Sequence, residues 1–347
     1  MSDPRTVLVT GGAGYIGSHT VVVLLDAGWR VVVIDNLDNS SEVAIDRVRE
    51  LTGAGDDRLV FVRGDIRDGA DLDRAFGAGG VEAVVHFAGR KAVGESVEHP
   101  LWYYDHNVTG TMRLLEAMQR HGVRDLVFSS SCTVYGEPEG VPITEGMRLG
   151  AQSPYGRTKL IGEQMLQDVA AALSARDAAP AMTSLRYFNV AGCEPAGELG
   201  EDHDPELHLI PVVLRTALGL QPSLKLFGED YPTPDGTCVR DYVHVCDIAA
   251  AHVLALEKVS PGETVTLNLG IGRGISNREI LEAARKVTGR EIRVESAPRR
   301  PGDPARLFAS PLAAERTLGW KPCFTQLEQI IETAWKWFQA HPRGYRA

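Results

Sequence analysis

The stretch Val7–Thr20, VLVTGGAGYIGSHT, places four glycines directly after a short apolar run. A glycine in a regular element costs roughly 0.5–1 kcal/mol against alanine, so four together imply a ligand that comes close to the backbone. Gly12, Gly14 and Gly17 fit GxGxxG, and Gly11, Gly14 and Gly17 equally fit GxxGxxG. Spacing leaves both variants open, and taken alone either describes a mere tight turn. The flanks decide. The run follows a strand pattern, opens a helical one, and is succeeded by a second strand pattern ending at Asp35, 18 residues beyond Gly17. That is the layout of a dinucleotide-binding βαβ unit, in which glycines admit a pyrophosphate and free N–H groups at the helix start receive its charge. Asp35 is placed to accept hydrogen bonds from the adenosine ribose and to repel a 2′-phosphate, which favours NAD over NADP.

The alternation continues outward. Apolar runs at Val7–Val9, Val31–Ile34, Leu59–Val62, Ala83–Phe87, Leu126–Phe128 and Ser184–Tyr187 are separated by helical segments such as Thr20–Leu25 and Met112–Met118. Continuous rather than alternating apolarity means strands buried on both faces, hence a parallel sheet between helix layers. The expected fold is α/β, with a doubly wound (Rossmann) domain over residues 1–189. Beyond Asn189 come Pro- and Gly-rich loops, CEPAGELGEDHDPELHLIP and YPTPDG, and a last amphipathic helix around Leu327–Phe338. Residues 190–347 are therefore assigned to a smaller mixed α/β substrate domain, with segments near 240–262 returning to the first.

Composition excludes several classes. Of 347 residues 44% are hydrophobic, enough for a globular core, and a net charge of −10 without a Lys/Arg stripe argues against a nucleic-acid partner. No run reaches 18 apolar residues and no secretory signal pattern opens the chain, so no membrane association and a cytoplasmic location are expected. Cys132, Cys193, Cys238, Cys246 and Cys323 are scattered and contain no CxxC pair. They read as reduced thiols, and no metal site is expected.

A second stretch carries chemistry. In Ser153–Leu166, SPYGRTKLIGEQML, Ser153 and Pro154 make a helix entry as N-cap and first-turn residue. Tyr155 then opens the helix and Lys159 follows one turn later on the same face, where its ammonium can reach the phenol or a ligand between them. A tyrosine base near neutral pH needs its pKa lowered by about three units, roughly 4 kcal/mol. One ammonium at about 4 Å supplies that much at an effective dielectric near 20. A packed tyrosine beside a solvated lysine is the bland alternative. In Val127–Gly136, VFSSSCTVYG, a strand ends in three serines. Open parallel sheets place ligands at strand C-termini, so Ser129, Ser130 and Ser131 are expected to point hydroxyls into the crevice, with mere turn chemistry the alternative for two of the three.

GGAGYIGSHT, DNLDNS, GDI, FAGRKAVGES, SSSCTVYG, SPYGRTKL, RYFNVAG, FGEDYPTPDGTCVRDYVHV and PRRPGD run nearly end to end. Together they resemble the extended short-chain dehydrogenase/reductase family, and within it the UDP-hexose 4-epimerases. The resemblance implies NAD contacts at Gly11, Gly14, Tyr15, Ile16 and Gly17, and at Asp35, Asn36, Asp38, Asn39 and Ser40. Further contacts are implied at Asp65 and Ile66, at Phe87, Ala88, Gly89 and Lys91, and at Asn107, Tyr155, Lys159 and Tyr187. A UDP-sugar is implied at Ser131, Phe188, Asn189, His208 and Leu209, and at Phe227, Arg240, Tyr242, Arg300 and Asp303. Arg240 and Arg300 suit a diphosphate because guanidinium donors pair with phosphate oxygens, and Asp303 suits the uridine ribose.

The implied reaction is transient oxidation at sugar C4, with Tyr155 as base, Lys159 holding phenolate and ribose, and Ser131 bonding the reacting oxygen, as in galactose metabolism. Two rivals stand beside it. Nucleotide-sugar 4,6-dehydratases resemble one another in an acidic pair after the threonine, whereas Val134 and Tyr135 follow Thr133 here. A non-catalytic NAD sensor would be expected to lack Tyr155 or Lys159. A homodimer is implied, for which Tyr103, Tyr104, Leu114 and Leu115 offer apolar surface. Departures from the family pattern are Cys132, His106 beside Asn107, and Leu307, where some relatives carry a tyrosine that restricts substrate range; the alternative for Leu307 is that it begins a buried strand, RLFAS, away from the sugar.

Overall fold

The structure is a computed structural model describing residues 4–176, 178–300 and 303–346. Its strands are β1 (Thr6–Thr10), β2 (Arg30–Asp35), β3 (Leu59–Arg63), β4 (Val81–His86), β5 (Asp125–Ser131), β6 (Met182–Tyr187), β7 (Asn189–Ala191), β8 (Leu224–Phe227), β9 (Val239–Arg240), β10 (Tyr242–His244), β11 (Thr264–Leu269), β12 (Ile275–Ser276), β13 (Val294–Ala297) and β14 (Arg306–Leu307). Its α-helices are α1 (Tyr15–Asp26), α2 (Val43–Thr52), α3 (Gly69–Gly77), α4 (Val93–Glu98), α5 (Pro100–Tyr103), α6 (Gly110–His121), α7 (Pro154–Ser174), α8 (Leu209–Ala217), α9 (Val245–Lys258), α10 (Asn277–Thr288), α11 (Leu312–Leu318) and α12 (Leu327–Ala340).

Seven parallel strands make one sheet in the order β3-β2-β1-β4-β5-β6-β11. The apolar runs produce two helix layers because successive side chains point to opposite faces. Val7 and Val9 of β1 pack with α1, α2, α9 and α11, while Leu8 faces α3, α6 and α7. This is the doubly wound architecture read from the sequence. Strand order reverses between β1 and β4, and such a switch point opens a crevice at the strand C-termini.

A second core gathers Ile210, Val213 and Leu214 of α8, Leu224 and Leu226 of β8, Ile280 and Ala284 of α10, and Ile330, Trp337 and Phe338 of α12. Small sheets β10-β7, β13-β8 and β12-β9-β14 lie with it. The chain passes between the lobes repeatedly: α9 packs on α1, and β11 pairs with β6 as the sheet edge. A third cluster, Cys132, Val134, Tyr135, Ile143, Phe188, Leu307 and Ala309, lies where the two lobes meet.

Candidate active site

The β1–α1 turn is built for close approach. Gly11 has φ +71°, and a Cβ on it would stand 2.7 Å from the Ala88 backbone nitrogen; one on Gly17 would stand 2.2 Å from the Gly11 carbonyl. Both glycines are therefore required by backbone packing as well as by any ligand. Gly14 is the N-cap of α1 and offers no side-chain cap, so the helix start faces the crevice with bare N–H groups. At the end of β2, buried Asp35 accepts from Ala13 N at 3.0 Å, Leu37 N at 2.9 Å and Ser40 Oγ at 2.8 Å. Burial pushes its pKa up while these three bonds pull it down. The donor set fits a dinucleotide: a bare helix N-terminus for its phosphates and an oriented carboxylate for its ribose.

Neighbouring strand ends join this surface. Phe87 N and Ala88 N, following β4, donate to Thr10 O, which ties the Phe87–Lys91 loop to β1. Asn36 donates to Asp65 at 3.1 Å; Asp65 is also gripped by Arg67, which holds its carboxyl well below the usual range. Ile66 is buried, Asn39 is exposed, and exposed Asp38 pairs with Arg90. A π-helical turn over Tyr104–Thr109 presents Asn107, whose side chain accepts from Arg90 N at 2.7 Å and donates to Thr158 Oγ1 of α7 at 2.9 Å. Asn107 thus fastens the loop to α7, and His106 stays outside that bond.

Ser153 caps α7 by accepting from Gly156 N at 3.1 Å, with Pro154 in the first turn. Desolvation in the cleft pushes the Tyr155 phenol up to about 12, with the neighbouring Ser131 side chain pulling the other way; Ser131 Oγ itself accepts from Thr133 N at 3.2 Å and Thr133 Oγ1 at 3.1 Å. Of the two partners the spacing allows Lys159, the phenol or a ligand between them, the phenol is not bonded directly: Lys159 Nζ donates to Ser129 O at 2.7 Å. Its own pKa falls to about 8 through burial. The three serines also diverge, because side chains alternate along β5. Ser129 bonds Tyr187, Ser130 donates to Glu163 below the sheet, and only Ser131 is turned toward Tyr155.

On the second lobe, Phe188 and Asn189 follow β6 directly, and Asn189 pairs in register with Tyr242 of β10 while its N–H donates to Asp241 O at 3.0 Å. Arg240 pairs with Asp303 and so holds in a closed ion pair the two groups expected to meet diphosphate and ribose. Arg300 lies over the Phe227 ring at 4.1 Å, a flat cation–π arrangement. His208 N-caps α8 just before Leu209.

The sequence model of the GDP-mannose 4,6 dehydratase family matches residues 8–334. UDP-glucose 4-epimerase of Bacillus subtilis (strain 168) is 50% identical over 345 residues, covering 98% of this chain and 99% of that protein. The chain belongs to the UDP-glucose 4-epimerase family. Among this family's solved structures, UDP-glucose 4-epimerase from Bifidobacterium longum in complex with NAD+ and UDP shares 42% identity at TM-score 0.93, over 98% of this chain and 100% of that one. The epimerase from Stenotrophomonas maltophila, with bound NAD and formylated UDP-arabinopyranose, shares 44% identity at TM-score 0.92, over 98% and 99%.

Sequence reasoning missed two groups. Buried Glu163 takes Arg186 through both oxygens, at 2.8 and 2.5 Å, and Arg186 reaches Tyr135 OH at 2.8 Å, so α7, β5 and β6 are cross-linked beneath Ser131. Glu163 lies four residues after Lys159, which was the available signal. The second group is Glu201, His203, Glu206 and His208, whose ligand atoms all lie within 4.8 Å of one another. The signal for it is the spacing ExHxxExH, which contains no cysteine.

Proposed function

We propose that this protein interconverts UDP-glucose and UDP-galactose through an NAD that stays bound and is unchanged overall. Support comes from Tyr155 beside Ser131 and Lys159 bonded to Ser129 O, both serines on β5, in a chain 50% identical to a named epimerase. NAD would supply a reversible hydride acceptor for sugar C4. Tyr155 removes the 4-hydroxyl proton and later returns it, and Ser131 holds the reacting oxygen beside the phenol. Lys159, anchored on Ser129 O, keeps its charge buried at the strand end, where it serves a ribose and only indirectly the phenol. Gly11, Gly14, Gly17 and Asp35 hold the dinucleotide, while Phe188, Asn189, Phe227, Arg240, Tyr242, Arg300 and Asp303 hold the UDP-sugar once the Arg240–Asp303 pair opens. Purified protein given UDP-galactose and no added cofactor should yield UDP-glucose. Absence of product after NAD is supplied would refute the reading, and a 4-keto-6-deoxy product would favour a dehydratase. Against the dehydratase, Val134 is buried and Tyr135 is bonded to Asn268 and Arg186, so no carboxylate follows Thr133.

The proposal extends to a homodimer working in the cytoplasm. Five free cysteines suit a reducing compartment, and no helix among the described residues is long and apolar enough to cross a membrane. The dimer face needs revision. Tyr103, Leu114 and Leu115 are buried inside their own subunit, so they offer no surface. Val93, Val97 and Leu101, four residues apart, are instead 46%, 63% and 82% exposed, and this is the face proposed to meet a second copy. Light scattering on wild type and Leu101→Asp tests it, and a one-subunit mass for wild type at micromolar concentration would refute it.

A further inference from the structure

From the end of β7 to the start of α8 the chain runs through residues 192–208 without a helix or strand. So long an irregular segment inside a compact lobe needs tethers. Some are visible: Trp337 Nε1 donates to Glu201 O at 3.1 Å, and Tyr345 N donates to Asp202 Oδ2 at 2.9 Å. At its centre, His203 Nδ1 stands 3.1 Å from Glu201 Oε1 and 3.4 Å from Glu206 Oε2, while His208 Nδ1 stands 2.9 Å from Glu201 Oε1 and 3.0 Å from Glu206 Oε1.

Hydrogen bonding alone leaves this arrangement poorly satisfied. A neutral imidazole Nδ1 carries at most one proton, yet each of these two faces oxygens of both carboxylates. The Glu201 and Glu206 side chains are only 4% and 6% exposed, and among the described residues no lysine or arginine lies within ion-pair distance of either. Among the same residues their charge is met within 4 Å only by the two imidazoles, and a buried carboxylate pair with so little cationic support is costly. A tetrahedral ion with arms of about 2.0–2.1 Å sets its donor atoms about 3.3 Å apart; one ligand atom from each of the four residues lies within 4.8 Å of the others, and the four histidine–carboxylate spacings are 2.9–3.4 Å. His208 is 46% exposed, so the cluster has an entry side.

We propose that Glu201, His203, Glu206 and His208 form a tetrahedral zinc site that clasps the 192–208 segment and fixes the floor beside the dinucleotide turn. Two imidazoles and two carboxylates favour zinc over calcium or magnesium, which prefer oxygen ligands alone in larger number. The clasp reaches the cofactor surface by two routes. The segment's first residue, Gly192, takes the Tyr15 hydroxyl on its carbonyl, and the His203 and Tyr15 rings meet edge to face at 6.1 Å. The second route is Lys91, whose Nζ lies 2.8 Å from His203 Nε2 and 3.2 Å from its Nδ1. Metal on Nδ1 displaces the ammonium from that atom and places the ring proton on Nε2, so Lys91 turns away to the cofactor contact expected of it. Zinc and NAD then assist each other's binding. The clasp does not depend on which sugar is turned over.

The test begins with elemental analysis and X-ray absorption of the NAD-loaded protein, followed by chelator stripping and titration with Zn2+ against a chromophoric competitor. The expected result is one zinc per chain in a nitrogen/oxygen shell at about 2.0–2.1 Å, with melting temperature restored by zinc after stripping. Uptake should fall by at least tenfold in His203→Ala and in Glu206→Gln. Sulfur in the shell would place the ion on cysteines and overturn the proposal, as would no uptake against the competitor, or full uptake by a folded His203→Ala/His208→Ala double variant. If a variant fails to fold, the absorption spectrum of the unmodified protein decides between these outcomes.

Discussion

Lowering the pH from 7.5 to 5 should unfold this protein far more steeply than surface charge alone would. Four histidines are buried and held neutral: burial lowers His19 and His252 to about 4, and His86 and His244 to about 3. In the unfolded chain each takes a proton near 6.5. Their contribution is therefore complete above 6.5 and is lost as pH falls toward the folded values, because the unfolded state binds more protons in between. Asp241 works in the opposite sense. Burial raises it to about 7, so below that pH the folded chain holds a proton that the unfolded chain releases until near 3.8. Four minus one leaves about three protons taken up on unfolding near pH 5.5, or about 4 kcal/mol per pH unit. A stability of roughly 5–15 kcal/mol would be consumed within about one to four units below 6.5. The site fails with the fold, since His252 packs on Phe87 and Tyr187, and His86 bridges Thr10 and Thr111 under the cofactor loop. Urea unfolding followed by tryptophan fluorescence at half-unit steps gives the slope directly. His252→Gln should reduce it by about one proton. A wild-type slope under about 1 kcal/mol per unit between pH 6.5 and 5 would refute the reasoning.

Tyr155→Phe should fold normally, keep its NAD, and lose turnover by the roughly 10²–10⁴ typical of a missing general base; more than a tenth of the activity remaining would remove Tyr155 from that role. Because Lys159 is turned to Ser129 O, positive charge arriving with bound NAD is what must bring the phenol down from about 12, so ultraviolet difference titration against Tyr155→Phe should show a lower pKa in loaded than in stripped protein. Asp35→Ala should weaken NAD and relax discrimination against NADP, and an unchanged preference in stripped protein would contradict the assignment. Leu307 sits in β14 against Phe188 and Cys132 and is only 8% exposed. Wild type should therefore turn over UDP-N-acetylglucosamine more slowly than UDP-glucose by roughly 10- to 200-fold, with Leu307→Ala narrowing the gap at a stability cost of about 2–5 kcal/mol and Leu307→Tyr widening it; equal ratios in all three would place the gate elsewhere.

What was legible in the sequence and what was not divides along a physical line. Local rules carried the first lobe: unbroken apolar runs fixed parallel strands, Ser153–Pro154 fixed a helix start, and the glycine spacing between β1 and α1 fixed a turn that only a bare backbone can make. Errors arose where the outcome depends on which of several near neighbours a side chain chooses. A helical turn brings Lys159 to the side of Tyr155, but its ammonium donates instead to the Ser129 carbonyl on β5. Three adjacent serines look equivalent in one dimension, yet the pleat of β5 sends Ser130 to the opposite face, where Glu163 needs a donor. Tyr103, Leu114 and Leu115 read as surface candidates because helical spacing gives a face without saying which neighbour covers it. The 192–208 segment is the extreme case: with no periodicity to read, its organisation rests on long-range tethers from α12 and Tyr345, and its four potential ligands converge only after those contacts form. The same dependence gives the zinc proposal its force, since a segment with so little secondary structure gains more from a four-way clasp than any helix or strand of the sheet would.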